Sequence, residues 1–424
     1  MTTDWARDRR LAGLEVYRVG GAVRDELLGL RAEEHDFVVV GATPEEMTER
    51  GFRAVGRDFP VFLHPDTGAE YALARTERKS GRGYRGFVFH TGPDVTLVDD
   101  LERRDLTINA IAEARDGRLI DPFDGRADLV HRRLRHVSAA FVEDPVRLLR
   151  LARFASRFAD FSIAAETLAL CRRLVESGEV DHLVPERVWQ EMSRALMHAR
   201  PSRFFEVLRE TGALARLMPE LDALWGIPQA PEYHPEIDTG EHVMLVLDEA
   251  ARMDASLDVR FACLVHDLGK ALTPAEQLPK HHGHERRGLE PVAAVCNRLR
   301  VPNDVRELAL LVCEFHLVCH RAAELRAGTV VRLFDRVDAF RRPERFERFL
   351  LACEADKRGR GGRSDKPYPP AALLRRALAA ARATPTEPLV AAGLNGPEFG
   401  AALARARAEA VAGVYAEASN ASSA

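Results

Sequence analysis

The chain reads as an α+β protein: an N-terminal α/β head on a small mixed or antiparallel sheet, then a largely all-α body. Three observations predict this. Up to about residue 120, short β-branched runs at 36–40, 71–74 and 95–97 alternate with turn residues and helical stretches such as 44–50. From Asp144 onward the apolar spacing becomes almost wholly helical, with glycine stops at Gly178, Gly212, Gly269 and Gly283 and prolines at the helix entries Pro145 and Pro185. The length of 424 residues exceeds one typical domain, and a hydrophobic content of 46% is enough for more than one core.

The order along the chain follows from these signals. Residues 1–14 form an extension, of which Met1 to Leu11 carry no motif and are expected to be disordered. The head spans 15–140, a first helical region 141–224, a second 225–350, and an Ala-rich helical tail 351–424. The stretch 358–370, rich in Gly, Arg and Pro, reads as a loop or linker. No internal repeat is visible.

Composition excludes several classes. The sequence has neither a run of eighteen apolar residues nor a charged-then-apolar leader, which predicts a soluble, unexported, cytoplasmic protein without a membrane partner. Its six cysteines are scattered, with no Cys-x-x-Cys pair, so reduced thiols are expected rather than a disulfide framework or zinc ribbon. A net charge of −4 argues against nonspecific coating of nucleic acid. Locally the picture changes. Between Arg132 and Arg157 lie seven arginines against two acids, Glu143 and Asp144. That stripe on a mildly acidic protein points to one defined polyanion site, whereas a lone charge run is ordinarily a solvated helix face.

The chemistry begins with Val19-Gly20-Gly21-Ala22-Val23-Arg24-Asp25 and Glu34-His35-Asp36-Phe37. Glycines at a helix start let a triphosphate approach backbone N–H groups. Carboxylates two residues apart on a strand share a face, so Glu34 and Asp36 can hold Mg²⁺ together. This is the layout of a metal-dependent nucleotidyl-transfer site. In Arg103-Arg104-Asp105-Leu106-Thr107-Ile108-Asn109-Ala110, the adjacent arginines should face opposite ways, so one is expected to meet a ligand and neutralise phosphate. A surface ion pair is the competing reading. In Glu143-Asp144-Pro145-Val146-Arg147, Asp144 suits an N-cap and Pro145 the first helical position. Arg147, Arg150, Arg153 and Arg157 then share one face. Asp144 and Arg147, an acceptor and a forked donor, could alternatively pair with base edges.

Histidines concentrate in the second half: His242, then His266-Asp267-Leu268-Gly269-Lys270, then His281-His282-Gly283-His284. Imidazoles and a carboxylate from separate helices can converge on a divalent metal and lower the pKa of its water. A lone His-Asp pair would more often be a cap or a core contact.

These segments, in this order, resemble class II tRNA nucleotidyltransferases, the CCA-adding enzymes of the polymerase β superfamily, in the bacterial branch with an added HD domain. Gly20 to Asp25, Arg103 to Ala110, Asp121-Pro-Phe-Asp-Gly125 and Glu143 to Arg147 match successive family motifs, and 56–64 is typical of that branch. The resemblance covers nearly the whole chain. It implies template-independent addition of C, C and A to a tRNA 3′ end from CTP and ATP with Mg²⁺. It further implies that Gly20, Gly21, Arg24, Arg104, Asp105, Asn109, Arg150 and Arg153 form the nucleotide site, and that Asp144 and Arg147 read the incoming base. Glu34 and Asp36 would hold the metals, with Glu70 as a third carboxylate, and the loop 78–86 would help switch from CTP to ATP. The second helical region resembles the HD phosphohydrolase domain, linked in this branch to phosphatase, 2′-nucleotidase and 2′,3′-cyclic phosphodiesterase activity. Its ligands would be His242, His266 and Asp267, with Mg²⁺ or a transition ion such as Ni²⁺. Glu314, His316 and His320 are candidates for completing the set, although Leu317 stands where an acid is expected. The tail beyond Gly361 would support tRNA, and the chain is expected to be a monomer or weak homodimer.

One departure matters. The family shows Asp-x-Asp where this chain has Glu34-His35-Asp36, and the extra methylene strains octahedral Mg²⁺ geometry, predicting retained but slowed or metal-shifted activity. Competing functions are a poly(A) polymerase on the same scaffold, a tRNA-binding module with a crippled head, and an HD phosphohydrolase whose head only senses nucleotide.

Overall fold

The computed structural model describes residues 5–32, 35–55, 61–79, 87–232, 234–362 and 364–422. The chain divides into two units, residues 1–192 with 203–217 and residues 193–202 with 218–424.

The first unit is organised by a sheet. Its strands are β1 (Glu15–Val19), β2 (Asp36–Val40), β3 (Arg53–Val55), β4 (Val61–Leu63), β5 (Glu70–Leu73), β8 (Ala112–Glu113) and β9 (Leu119–Ile120), in spatial order β3-β4-β5-β2-β1-β8-β9. β6 (Arg75–Lys79) and β7 (Phe87–Thr91) form a separate antiparallel hairpin, and β10 (Arg133–Leu134) with β11 (Ser162–Ile163) a short parallel pair. Every neighbour in the large sheet is antiparallel except β2 and β5. The expected mixed sheet is therefore present.

Alternation along β2 explains its two faces. Phe37 and Val39 join Tyr71, Leu73, Met47 and Phe52 on one side, where the Phe37 and Tyr71 rings stack with centroids 4.5 Å apart. Val38 joins Val19, Leu97, Leu101 and Ala110 on the other. The expected disorder at the N-terminus is corrected over the described part: Leu11 is fully buried in the first cluster, and Arg50 donates to the Arg10 and Ala12 carbonyls at 2.9 and 2.8 Å. The strand expected at 95–97 is instead a helix entry. Thr96 and Asp99 form a reciprocal capping box that starts the helix Leu97–Glu102. The next arginine-bearing helix runs Val146–Arg157, so Asp144 and Pro145 both precede it by one position more than the sequence predicts, although the Asp144 carboxylate still accepts the Val146 N–H at 3.0 Å.

The second unit is helical. Thr239–Arg252, Leu257–Val265, Asn303–His320 and Pro343–Arg358 pack around a core that includes Val246, Phe261, Val312 and Phe349. The first of these is N-capped by Asp238, which accepts the Glu241 N–H at 3.1 Å. The tail adds Pro369–Arg382 and the long helix Gly396–Ser422. All six cysteines are buried and free. Among the described residues, no helix is long and apolar enough to cross a membrane.

Candidate active sites in the head and the HD region

In the first unit, β2 and β5 both begin with an acid. Their parallel register pairs Asp36 with Glu70, and both side chains are exposed. Register partners on neighbouring strands, about 4.8 Å apart, present their side chains to the same face. That face also carries Val38 and Val19, and Val19 pairs with Asp36 across β1 and leads into Gly20. Two hard carboxylates at one sheet edge suit Mg²⁺. Glu34, the segment 56–60 and the loop 80–86 lie outside the described residues.

Gly20 ends β1 with φ +73°, and a Cβ there would stand 3.0 Å from an Arg104 guanidinium nitrogen. The φ favours glycine, and a side chain here would have to push the Arg104 guanidinium aside. Arg104 does not diverge from Arg103 as the sequence reading expects. Both reach the fully buried Asp100, at 3.1 and 2.6 Å, because the carboxylate is desolvated and needs both guanidinium groups to keep its charge.

Asp105 is the hub of the residues that the sequence reading assigns to the nucleotide. Its carboxylate accepts the Leu106 N–H at 2.8 Å, the Asn109 side-chain amide at 2.9 Å and the Arg150 guanidinium at 2.6 Å. Burial pushes its pKa up, but Arg150 and these hydrogen bonds overcome that and hold it well below the ordinary carboxylate range. Asn109 in turn accepts from Arg24 at 2.5 Å, and Arg24 bonds Asp25 at 2.8 Å. The Arg24 guanidinium lies over Phe154 and Phe158, 5.1 and 5.3 Å from the ring centroids. Farther along, Arg153 pairs with Glu191 at 2.5 Å and Arg157 with Asp25 at 2.8 Å. Arg147 donates to the Ala140 carbonyl at 3.2 Å, and Asp144 stands 3.7 Å from Arg187. Arg24, Arg104, Arg150, Arg153 and Arg157 are thus fixed by acids before any ligand arrives, and Arg147 by a carbonyl.

In the second unit, His242, His266 and Asp267 do converge, and all three are buried. The structure adds three residues to them. His284 and His316 approach Asp267 Oδ1, and Asp356 Oδ1 lies 3.2 Å from His242 Nε2 and 3.8 Å from His266 Nε2. His242 Nε2, His266 Nε2 and Asp267 Oδ1 are buried without a hydrogen-bond partner. Buried polar atoms so aimed at one another fit a divalent cation, which would satisfy them. Nitrogen-rich donors with two carboxylates fit a transition ion better than Mg²⁺.

Surrounding contacts orient the set. Lys270 Nζ lies 2.6 Å from Asp267 Oδ2 and donates to Gln229 at 2.5 Å. Against desolvation, His266 and Lys270 hold Asp267 well below its ordinary pKa. Burial pushes His316 down, so its ring is neutral and able to ligate at neutral pH. His320 joins Asp356 Oδ2 at 2.5 Å and the Tyr368 hydroxyl at 2.8 Å, which makes it an orienting residue. Glu314 points elsewhere, pairing with Arg336 at 3.0 Å. Gly269 allows the whole arrangement, since a Cβ there would lie 2.0 Å from the His284 carbonyl oxygen. The sequence reading missed Asp356, which lies in the stretch it assigned to the tail. The available signal was an acid three and seven residues after the buried Cys353 and Phe349, on one helix face.

Comparisons with known proteins agree with this geometry. Family models match the Poly A polymerase head domain over residues 16–135, the probable RNA and SrmB-binding site of polymerase A over 160–224, and the HD domain over 239–340. The multifunctional CCA protein of Alkalilimnicola ehrlichii is 61% identical over 401 residues, covering 94% of this chain and 97% of that protein. Its counterpart in Burkholderia cenocepacia is 60% identical over 406 residues, covering 94% and 98%. The fold is that of the Bacillus stearothermophilus CCA-adding enzyme solved with CTP, at a TM-score of 0.63 and 24% identity over 96% of this chain and 91% of that one. On sequence, fold and the convergence of both residue sets, the chain belongs to the family of multifunctional CCA proteins.

Proposed function

We infer that this chain adds CCA to the 3′ end of tRNA from CTP and ATP, and that its HD region hydrolyses phosphate esters. The observation that carries the first reading is the in-register Asp36–Glu70 pair beside the Gly20 turn and the Arg24–Asn109–Asp105–Arg150 chain. Asp36 and Glu70, with Glu34, would hold the divalent metal, for which Mg²⁺ is the fitting ion. When bound, that metal activates the attacking hydroxyl and steadies the leaving group.

The chain's own residues supply the rest. Arg24, Arg104, Arg150 and Arg153 neutralise the triphosphate and the departing pyrophosphate, and because acids already hold them, little ordering remains at the moment of reaction. Gly20 and Gly21 leave room for the phosphates against the backbone. Asp144 offers acceptors and Arg147 donors to the edge of the incoming base, so an analogue lacking a partner group leaves them unpaired.

In the HD region, His242, His266, Asp267 and Asp356 would hold a divalent ion, whose chemistry when bound would be to supply hydroxide near neutral pH. Lys270, buried beside Asp267, fixes that carboxylate and adds positive charge for a phosphate. Cyclic 2′,3′-phosphates and phosphate monoesters are the proposed substrates.

The first reading is tested with a tRNA lacking its 3′ CCA, Mg²⁺, and CTP and ATP supplied singly and together. Two additions with CTP alone and a third only with both are expected. Long tails with ATP alone would establish poly(A) synthesis instead.

A further inference from the structure

Asp36 and Glu70 stand in the last row of the head sheet, Val19–Asp36–Glu70–Leu63, and the row behind it is Arg18–Phe37–Tyr71–Phe62. End rows are the first part of a sheet to open, so the spacing of the two acids depends on what holds the row behind. There, on the opposite face from the acids, the Phe37 and Tyr71 rings lie nearly parallel, 10° apart in tilt. The stack therefore joins the residue after Asp36 to the residue after Glu70. Trp5 covers it, with its ring centroid 5.2 Å from that of Phe37.

Trp5 is delivered by residues 5–14, which are tied to the sheet by polar anchors. Asp8 Oδ2 lies 2.6 Å from Nε2 of the buried His64. The Asp66 and Thr67 N–H groups donate to Nδ1 of that ring at 3.2 and 3.3 Å, so Nε2 carries the proton and donates it to Asp8. The His64 ring meets the edge of Phe52 at 5.2 Å, and Phe52 meets Tyr71 at 5.1 Å, which carries the anchor into the stack. Arg10 donates to Asp66 at 2.6 Å, and Arg115 donates to the Leu11 carbonyl. His64 and Asp66 follow β4 while Arg115 follows β8, so the anchors lie on either side of β2 in the sheet order. Burial of Leu11 would by itself hold the segment against the sheet. The polar anchors fix its register, and so where Trp5 meets Phe37.

We propose that residues 5–14 are a strap that positions the acids of the head: Trp5, seated on Phe37, and Asp8, bonded to His64, hold the Phe37–Tyr71 stack and through it set the separation of Asp36 and Glu70. Trp5 and Asp8 are positioning residues and touch no substrate. The proposal rests on the reading of Asp36 and Glu70 as the metal-holding acids.

The test uses the full chain carrying Trp5→Ala or Asp8→Ala, with Trp5→Phe and Asp8→Asn as conservative partners. Each is assayed for CCA addition over a Mg²⁺ titration, for hydrolysis of a 2′,3′-cyclic phosphate, and for thermal melting. Trp5 is only partly buried, so its loss uncovers the stack without opening a cavity in the core. A kcat about tenfold lower and a half-saturating Mg²⁺ about threefold higher are expected for both alanine variants, since misplacing a reacting group by about 1 Å costs on the order of a hundredfold. The KM for CTP should not change, hydrolysis in the second unit should not change, and Trp5→Phe and Asp8→Asn should recover most of the loss. Activity that falls only with the folded fraction, at an unaltered Mg²⁺ requirement, overturns the proposal, as do conservative variants no better than alanine. Asp36→Ala, run beside them, separates the two readings. Full CCA addition in that protein refutes Asp36 as a metal holder and the strap with it. Its loss, with Trp5→Ala and Asp8→Ala behaving as the unaltered protein, refutes the strap alone.

Discussion

Gly20 shows how much one residue can decide. Its positive φ strains any other residue, and a Cβ there would stand 3.0 Å from the Arg104 guanidinium, which would have to shift. Gly20→Ala should therefore cost about 1–2 kcal/mol of stability and displace Arg104, raising the KM for nucleotide more than it lowers affinity for tRNA. An unchanged KM would remove Gly20 from the nucleotide site. Glu34 is the opposite case, a departure in side-chain length at a position proposed to hold metal. Glu34→Asp is expected to preserve or raise turnover with Mg²⁺, since the shorter acid suits octahedral geometry better. A fall in turnover with Mg²⁺ would mean that glutamate is matched to this site. At this scale the sequence was informative where a residue type is chemically unusual in its place, as with Gly20 at its positive φ and His266-Asp267 in the buried cluster. It was mute about Asp356, 89 positions beyond Asp267. Only packing between helices brings those two carboxylates together.

Elements explain which expectations held. The strand 36–40 was visible from its β-branched run, and its pairing with 70–73 converts two separate acids into neighbours. The 95–97 segment misled because a few β-branched and apolar residues look the same in a strand and at a helix entry. The Thr96-x-x-Asp99 capping signature was the deciding feature. The helix Val146–Arg157 was legible from its arginine spacing, but the acids that fix those arginines come from distant segments and were not. Its anchoring gives a pH prediction. Asp105 has a folded pKa below its ordinary 3.8, so its contribution is fully present above that value and is lost as pH falls through 3.8 toward the folded value. Asp105→Asn should thus destabilise by about 2 kcal/mol at pH 7 in denaturant unfolding, with a smaller difference at pH 3. An equal difference at both values would show that Asp105 acts through shape and not charge.

On the scale of the whole molecule, the two residue sets lie in different compact units and share no side chain. The division of labour was readable in the sequence because each unit carries its own motif vocabulary: glycines, acids and arginines first, then histidines. What remained hidden was the size of the HD cluster, since its residues come from five helical segments with irregular spacing. The account therefore predicts that the two chemistries can be removed one at a time. The most direct measurement assays CCA addition and 2′,3′-cyclic phosphate hydrolysis on the same preparations of the unaltered protein, Asp36→Ala and His266→Ala. Asp36→Ala should lose CCA addition by roughly three orders of magnitude, as loss of a positioned metal implies, and keep hydrolysis. His266→Ala should do the converse. Both activities falling together in either variant, with the fold intact, would contradict two separate sites.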